Sequence, residues 1–171
     1  RIFGHVLMRR GDFGGAAEQF QRALQLNDGL GVNAVNLHVA LVSAGRRDEA
    51  LVGLERYVEA HPDSPDASLA LAEFHLRSGD LTAAHRAFQL PLKLLPDNPQ
   101  LLNNYANLLF AMNDPDAVNV ARRAYERAPT SAAVSDTLGW LLVNAGNTEE
   151  GLPLLRDART RDSGNPEIQY H

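Results

Sequence analysis

The sequence predicts an all-α fold, a solenoid of antiparallel helix pairs, and three observations lead to this fold class. Turn signals centred on Gly11, Gly45, Gly79, Asn113 and Gly146 recur at a near-constant spacing of about 34 residues. Apolar residues at helical spacing flank the turns. Helix-stopping prolines at Pro62, Pro96 and Pro129 keep the same rhythm. A sustained period of this length is typical of stacked helix hairpins.

The period divides residues 1–171 into a single array of units. A partial unit covers residues 1–30, complete units cover 31–64, 65–98, 99–131 and 132–165, and residues 166–171 begin a further helix. Each complete unit is predicted to contain two helices of roughly 12–14 residues joined by a short turn. The chain starts on Arg1 rather than Met, inside what reads as a helix. We therefore expect it to be a piece of a longer protein.

The unit Pro65–Pro96 sets the register of the others, with one helix predicted before the turn at Gly79 and another after it. In the next turn Asn113 takes the place of glycine, and we expect the left-handed conformation that Gly and Asn tolerate. Pro91 lies inside the second predicted helix. Because proline has no N–H and its ring clashes with the carbonyl four residues earlier, we expect a kink or an early helix end there.

Small residues recur where paired helices must approach closely. They are Gly4, Ala72, Ala106 and Gly139 in first helices, Ala16, Ala50, Ala84, Ala117 and Gly151 early in second helices, and Ala23, Ala124 and Ala158 later in second helices. His38 occupies one of the first-helix positions. We therefore expect that helix pair to splay or the imidazole ring to turn outward.

This pattern resembles the tetratricopeptide repeat. The resemblance rests on the period between turns, the Leu-Gly or Leu-Ala pair of the first helix, the Gly-Asp turn, the alanine and aromatic residue of the second helix and the closing proline. It covers essentially the whole chain. It implies a right-handed superhelical solenoid whose concave face is lined by the first helices.

A narrower resemblance concerns the C-terminal part of the chain. The segments DTLGWLL (136–142), GLPLL (151–155) and NPEIQYH (165–171) are similar to bacterial repeat proteins of exosortase and exopolysaccharide export systems, including PEP-CTERM-associated repeat lipoproteins. This resemblance implies a bacterial periplasmic or envelope location. Nothing else in the sequence indicates a compartment.

The composition argues against several classes of partner. The formal net charge is −5 and Lys93 is the only lysine, whereas nucleic-acid binding needs clustered Lys and Arg. The chain has no cysteine, which excludes disulfides and zinc–thiolate sites. No run of about 18 apolar residues occurs, so we predict no membrane span in this chain.

No pattern in the sequence indicates catalysis, a cofactor or a metal. The six histidines do not form a tight metal-binding spacing, and neither a glycine-rich nucleotide loop nor a nucleophile elbow is present. Asp48-Glu49 and Glu149-Glu150 fall in the first turns of predicted second helices, where acidic groups interact favourably with the helix dipole. We therefore predict that the chain is not an enzyme and that it holds no cofactor.

Binding is the activity that the pattern favours. Residues three or four apart on the first helices share one face, and by the resemblance that face lines the concave groove. The predicted groove residues are Asn36, Leu69, Glu73, Arg77, Asn103, Asn107, Phe110, Asp136, Trp140, Asn144 and Tyr170, joined by Val35, Val39 and Glu167. The asparagine amides can pair with a peptide backbone, and Trp140 offers a large rigid contact. Packing between repeats is an equal alternative for Trp140, and a solvated face is one for the asparagines.

The sequence therefore predicts a protein-interaction scaffold that binds a protein or peptide segment of unknown identity in its groove. The lysines of the clamp that holds acidic chaperone C-termini are missing, so we expect no tight binding to those peptides. Two alternatives stay open. One is a self-assembling module that dimerises through apolar faces at its truncated ends. The other is a substrate-selecting part of a larger enzyme.

Overall fold

The computed structural model describes residues 2–27 and 30–162. Those residues form ten helices and no strand, which confirms the all-α fold class. The helices are α1 (Ile2–Arg9), α2 (Phe13–Leu26), α3 (Gly31–Ser43), α4 (Arg47–Ala60), α5 (Pro65–Ser78), α6 (Leu81–Leu94), α7 (Pro99–Ala111), α8 (Ala117–Arg127), α9 (Ala132–Asn144) and α10 (Thr148–Arg161). They fall into two compact units, Arg1–Pro91 and Leu92–His171. The repeat boundaries proposed from the sequence stay a prediction.

The turns inside the helix pairs share one backbone geometry. Their central residues have positive φ angles of 76° at Gly11, 78° at Gly45, 79° at Gly79, 57° at Asn113 and 86° at Gly146. After each of these, the next residue donates its N–H to the carbonyl five residues earlier, at 2.8 to 3.0 Å. A left-handed residue in this position pairs the last carbonyls of the preceding helix. The left-handed conformation expected of Asn113 is therefore confirmed.

Polar side chains in the turns stabilise the starts of the helices that follow. Asp12, Asp80 and Asn98 each accept the backbone N–H of the residue three positions later at 2.9 Å. Such capping satisfies N–H groups that have no partner inside the helix. Asp48-Glu49 and Glu149-Glu150 lie in the first turns of α4 and α10, as the sequence predicts. The favourable interaction of acidic groups with the N-terminal end of the helix dipole is enough to explain why these residues stand there.

The small residues lie where the helices of a pair touch. All the first-helix positions and the early second-helix positions assigned to small residues are buried. A Cβ added to Gly139 on α9 would lie 2.9 Å from the carbonyl oxygen of Gly151 on α10, and one added to Gly151 would lie 2.6 Å from the carbonyl oxygen of Gly139. These separations are too short for a side chain, so the glycines set the approach of the two helices.

First helices pack side by side within each compact unit. In the first unit α3 contacts α5, and in the second unit α7 contacts α9. Three of these first helices also contact the second helix of the preceding pair: α2 contacts α3, α4 contacts α5 and α8 contacts α9. The surfaces formed in this way are the α3–α5 face (the exposed sides of α3 and α5) and the α7–α9 face (the exposed sides of α7 and α9).

The structure decides part of the sequence expectations for His38 and Pro91. His38 is only 4% exposed, so its ring does not turn outward, and the alternative that this helix pair splays stays a prediction. Its Nδ1 lies 3.2 Å from the carbonyl oxygen of Ala50, and its ring meets Phe74 edge-on at a centroid distance of 5.3 Å. Helix α6 continues through Pro91, so the expected early end is wrong. The proline ring is fully buried, and this apolar burial offsets the missing hydrogen bond; a kink there stays a prediction.

Candidate protein-binding faces

A pocket of about 310 Å³ opens on the α3–α5 face, where α3 and α5 end and α4 begins. It is called the α3–α5 pocket here. Its walls are His38, Val39, Val42, Ser43, Arg47, Phe74, Arg77 and Ser78. Three of these residues are large and apolar, two carry positive charge and two carry hydroxyl groups. The pocket therefore combines an apolar floor with a cationic, hydrogen-bonding rim.

The positive charges of this pocket are weakly compensated. Arg77 is exposed, and its Nη1 lies 3.9 Å from Oε2 of Glu73 one turn earlier on α5. An exposed pair of that length contributes little, because solvent screens it. Arg47 has no ion pair or hydrogen bond from its side chain to any other residue in the ranges 2–27 and 30–162. Both guanidinium groups are thus able to meet an incoming anion.

His38 forms the inner wall of the pocket as a neutral ring. A carbonyl oxygen can only accept, so the contact with Ala50 places a proton on Nδ1. Burial lowers the pKa of His38 below its ordinary value; the hydrogen bond to Ala50 opposes this shift, and the charge of Arg77 adds to it. The neutral ring leaves Nε2 as an acceptor. His38 therefore adds no positive charge to the two arginines.

A second pocket, of about 230 Å³, opens on the α7–α9 face at the ends of α7 and α9. It is called the α7–α9 pocket here. Its walls are Phe110, Asn113, Asp114, Pro115, Ala117, Val118, Leu141, Asn144 and Ala145. No lysine or arginine belongs to these walls, and the single ionisable residue among them, Asp114, is acidic. The second pocket is therefore apolar and amide-rich where the first is cationic.

The structure brings two of the predicted first-unit residues together. Val39 of α3 and Arg77 of α5 line the same α3–α5 pocket. Leu69 and Glu73 are half-buried on α5. The half-buried Asn36 has an enclosed Nδ2 for which the described ranges supply no hydrogen-bond acceptor. Val35 packs partly into the core between α3, α4 and α5. The open part of this face is thus centred on Val39 and Arg77.

Two predicted residues of the second unit also share a pocket. Phe110 of α7 and Asn144 of α9 line the α7–α9 pocket, and Phe110 is 39% exposed. The Asn144 Nδ2 donates to the carbonyl oxygen of Trp140 at 2.8 Å. Asn107, one turn before Phe110, is exposed. These three side chains form the open part of the α7–α9 face.

The other predicted residues of this unit lie deeper or outside the described ranges. Asn103 and Asp136 are buried, so helix packing occupies much of their surface. Trp140 is half-buried and packs against the core of α7, α8 and α9. Tyr170 and Glu167 lie outside the described residues. Whether a ligand touches any of the predicted residues stays a prediction.

Several walls of the α3–α5 pocket were missed by sequence reasoning. Val42, Ser43 and Phe74 lie on the last turns of the first helices, and Arg47 opens a second helix. The prediction considered only one stripe along each first helix and stopped before the turn. The missing signal was Arg47, two residues after Gly45, where a second helix begins.

The described helices contain neither a metal-binding cluster nor a membrane-crossing element. No group of three or more His, Asp or Glu residues there is placed to hold a metal ion. No helix within residues 2–27 and 30–162 has the length and apolarity needed to cross a bilayer. Each of the two pockets is large enough to accept a ligand side chain.

Comparison with known families decides the classification of the chain. Residues 7–73 and 41–93 match the family model described as Tetratricopeptide repeat, and together they span more than half of the sequence. The chain belongs to the tetratricopeptide repeat family. A comparison with proteins of curated function finds no match.

Solved structures of MamA share the fold of this tetratricopeptide chain. One crystal structure of MamA aligns with a TM-score of 0.75 at 17% identity over 94% of each chain. MamA 41-end from Desulfovibrio magneticus RS-1 aligns with a TM-score of 0.79 at 12% identity, over 97% of this chain and 94% of that chain. MamA MSR-1 aligns at 0.72 and 19% identity, over 95% and 94%. At such identities the likeness establishes the fold alone.

The two pockets occupy the same place in the tetratricopeptide repeat. Asn144 on α9 and Arg77 on α5 each stand two positions before the turn residue that follows their helix. Pro115 and Arg47 each stand two positions after the turn residue of their own helix pair. Matching positions in the repeat therefore line both pockets. The repeat supplies equivalent cavities with different rims.

Proposed function

We propose that this chain is a non-catalytic scaffold that binds a protein segment along the exposed sides of its first helices. The observation that carries the proposal is the exposure of apolar side chains beside the two pockets. Val39 is 45% exposed and Phe110 is 39% exposed, although both side chains are apolar. Exposed apolar residues next to a concavity are typical of interaction sites.

The α7–α9 face supports recognition of an extended backbone. Asn107 is exposed, and an amide side chain can donate and accept hydrogen bonds at once. Phe110 provides an apolar contact beside it, and the half-buried Trp140 is held by packing against the core. Anchors of this kind lose little conformational entropy when a ligand binds. Binding would then depend on shape and polar complementarity and would involve no chemical reaction.

The test uses peptides selected by the whole chain from a displayed library of random octapeptides. We expect Asn107→Ala and Phe110→Ala each to weaken binding of the selected peptides by about 3- to 10-fold, as truncated interface residues commonly do. Asn119→Ala is the matched control, because Asn119 is an exposed asparagine on the second helix α8. Binding that survives the α7 changes would exclude the α7–α9 face as the site, and binding that is lost with Asn119→Ala would place the site on the second helices.

A finer proposal concerns the cellular system that the scaffold serves. We propose a bacterial envelope or exopolysaccharide export system, supported by the similarity of residues 136–142 and 151–155 to repeat proteins of such systems. In the chain itself Gly139 and Gly151 of these segments bring α9 and α10 together. The test is deletion of the gene in the source bacterium, for which we expect reduced exopolysaccharide secretion. Unchanged secretion would contradict this placement.

A further inference from the structure

We infer that the α3–α5 pocket receives an Asp or Glu side chain from within the bound protein segment, together with an adjacent apolar side chain. The inference deepens the proposed function and rests on it. It identifies the chemistry of one ligand position rather than the whole ligand. Three features support it: the charge of the rim, the shape of the apolar floor and the contrast with the equivalent pocket of the second unit.

The rim carries two positive charges from separate helices. Arg47 lies at the first position of α4, and Arg77 lies in the last turn of α5. No acidic residue is among the walls. Outside them, Oε2 of Glu73 lies 3.9 Å from Nη1 of Arg77. A guanidinium offers five N–H donors and prefers carboxylate oxygens. Two converging arginines are therefore complementary to one carboxylate.

Helix ends oppose this attraction but do not cancel it. Ser43 and Ser78 are the last residues of α3 and α5, so the partially negative ends of two helices point towards the pocket. The left-handed turns at Gly45 and Gly79 already satisfy several of those carbonyls. The remaining partial charges, about half a unit for each full helix, are smaller than the two full charges on the arginines. The arginine charges therefore outweigh the partial charges of the two helix ends.

The floor of the pocket favours an apolar neighbour for the carboxylate. Val39, Val42 and Phe74 form it, and the exposure of Val39 leaves apolar surface that a ligand can cover. A volume of about 310 Å³ lies at the small end of ligand pockets, large enough for side chains rather than for a bulky cofactor. His38 is neutral and presents an acceptor, so it does not pair with a carboxylate. The arginines and the serine hydroxyls perform that pairing.

The experiment selects amidated random octapeptides with the whole chain and with the Arg47→Gln/Arg77→Asn double variant. Asn is chosen because it stands at the equivalent position 144. Arg46→Gln is the matched control, since Arg46 precedes Arg47 but pairs with Glu49 at 2.7 Å and does not line the pocket. Thermal unfolding checks that each variant is folded, which we expect because all three arginines are exposed.

We expect the wild-type chain and Arg46→Gln to enrich Asp or Glu beside an apolar residue. For such a peptide, each single arginine variant should weaken binding about 2- to 5-fold and the double variant about 10-fold, as solvent-exposed charge pairs allow. Replacing the acidic residue of the peptide by its amide should weaken wild-type binding similarly and leave the double variant unaffected. The difference in affinity between the wild-type chain and the double variant should shrink as the NaCl concentration rises from about 50 mM to about 300 mM.

The outcomes separate the two proposals. Peptides without acidic enrichment, or acidic peptides that bind the double variant as tightly as the wild type, overturn the pocket assignment and leave the scaffold function standing. A library that yields no binder to any variant contradicts the scaffold function itself.

Discussion

The α3–α5 pocket and the α7–α9 pocket differ at their rims although the repeat places them equivalently. The first carries Arg47 and Arg77, whereas the second has Pro115 and Asn144 at the corresponding positions. Helix packing does not require any of these side chains, because all four are exposed. The comparison teaches that the repeat fixes the position of the pocket and leaves the chemistry of its rim to exposed residues that packing does not constrain.

A second contrast lies beneath the pockets. His38 fills the inner wall of the α3–α5 pocket, whereas the equivalent position before the turn at Asn113 holds Ala106, which is fully buried. One position of the repeat thus accommodates a ring in the first unit and only a methyl group in the second. The neighbouring helices of the first unit are arranged around the ring, with Ala50 accepting its hydrogen bond and Phe74 meeting it edge-on.

The largest change in stability is expected when the buried methyl group of Ala106 is replaced by a ring like that of His38. Ala106→His introduces an imidazole into a site packed around a methyl group, and we expect a loss of about 3 kcal/mol in the free energy of unfolding. Urea unfolding measures it. Ala111→His, on the same helix but exposed, is the control and should change stability by less than about 0.5 kcal/mol. An equal effect of the two changes would refute close packing at position 106.

Substitutions of the turn residues are expected to change stability less, and to do so differently in the two units. Gly79→Ala places a Cβ on a residue with φ of 79°, and we expect a loss of about 1–2 kcal/mol. Asn113→Gly relaxes a non-glycine residue at φ of 57° and should be neutral or slightly stabilising. Urea unfolding of both variants is the measurement. A destabilising Asn113→Gly would show that the asparagine side chain stabilises the turn beyond its tolerance of positive φ.

The buried imidazole makes the stability of the first unit depend on pH. Burial lowers the pKa of His38 in the folded chain, while the unfolded chain keeps the ordinary value of about 6.5. The unfolded state therefore binds more protons below that value, so stability is complete above it and falls as the pH drops. The positive charge of Arg77 acts in the same direction, while the hydrogen bond to Ala50 opposes it.

Urea midpoints at pH about 7.5 and about 5.5 test this dependence. We expect the wild-type chain to lose more stability on acidification than His38→Gln does. His5→Gln is the matched control, because His5 is an exposed histidine of the same unit. Identical pH dependence in the wild type and His38→Gln would exclude His38 as the source.

The smallest effect is a transfer of specificity between the pockets. Asn144→Arg places a guanidinium at the position equivalent to Arg77, and we expect about a twofold gain in affinity for acidic peptides. The gain is limited because Asp114 belongs to the same walls and competes for the new charge. Titration of the selected acidic peptide measures it. Weaker binding of that peptide would show that the rim residues are not interchangeable.

Periodic features of the fold were predictable from the sequence, while its exceptions were not. The regular rhythm of turn signals identified the turns, and the tolerance of Asn for left-handed backbone identified Asn113 as one of them. The orientation of His38 was not predictable, because it depends on a carbonyl acceptor and an aromatic ring from two other helices. The early end expected at Pro91 failed because burial of the ring outweighs the local preference of the backbone.

The candidate site was predictable only as a helix face. Spacing on first helices assigned Val39, Arg77, Phe110 and Asn144 to a binding face, and each of them lines one of the two pockets; their contact with a ligand stays a prediction. Spacing could not show that Asn103 and Asp136 are buried, because adjacent first helices cover positions that a single helix would leave open. It could not find Arg47 either, because that residue joins the pocket from the start of another helix.

Photo-crosslinking tests most directly whether the first helices form the binding surface. Benzoylphenylalanine replaces either Val39 on α3 or Val52 on α4, two valines with nearly equal exposure of 45% and 44%. A peptide selected by the wild-type chain is then irradiated with each variant and the adducts are identified by mass spectrometry. We expect the peptide to crosslink to position 39 and not to position 52. Crosslinking at position 52 without crosslinking at position 39 would contradict the account.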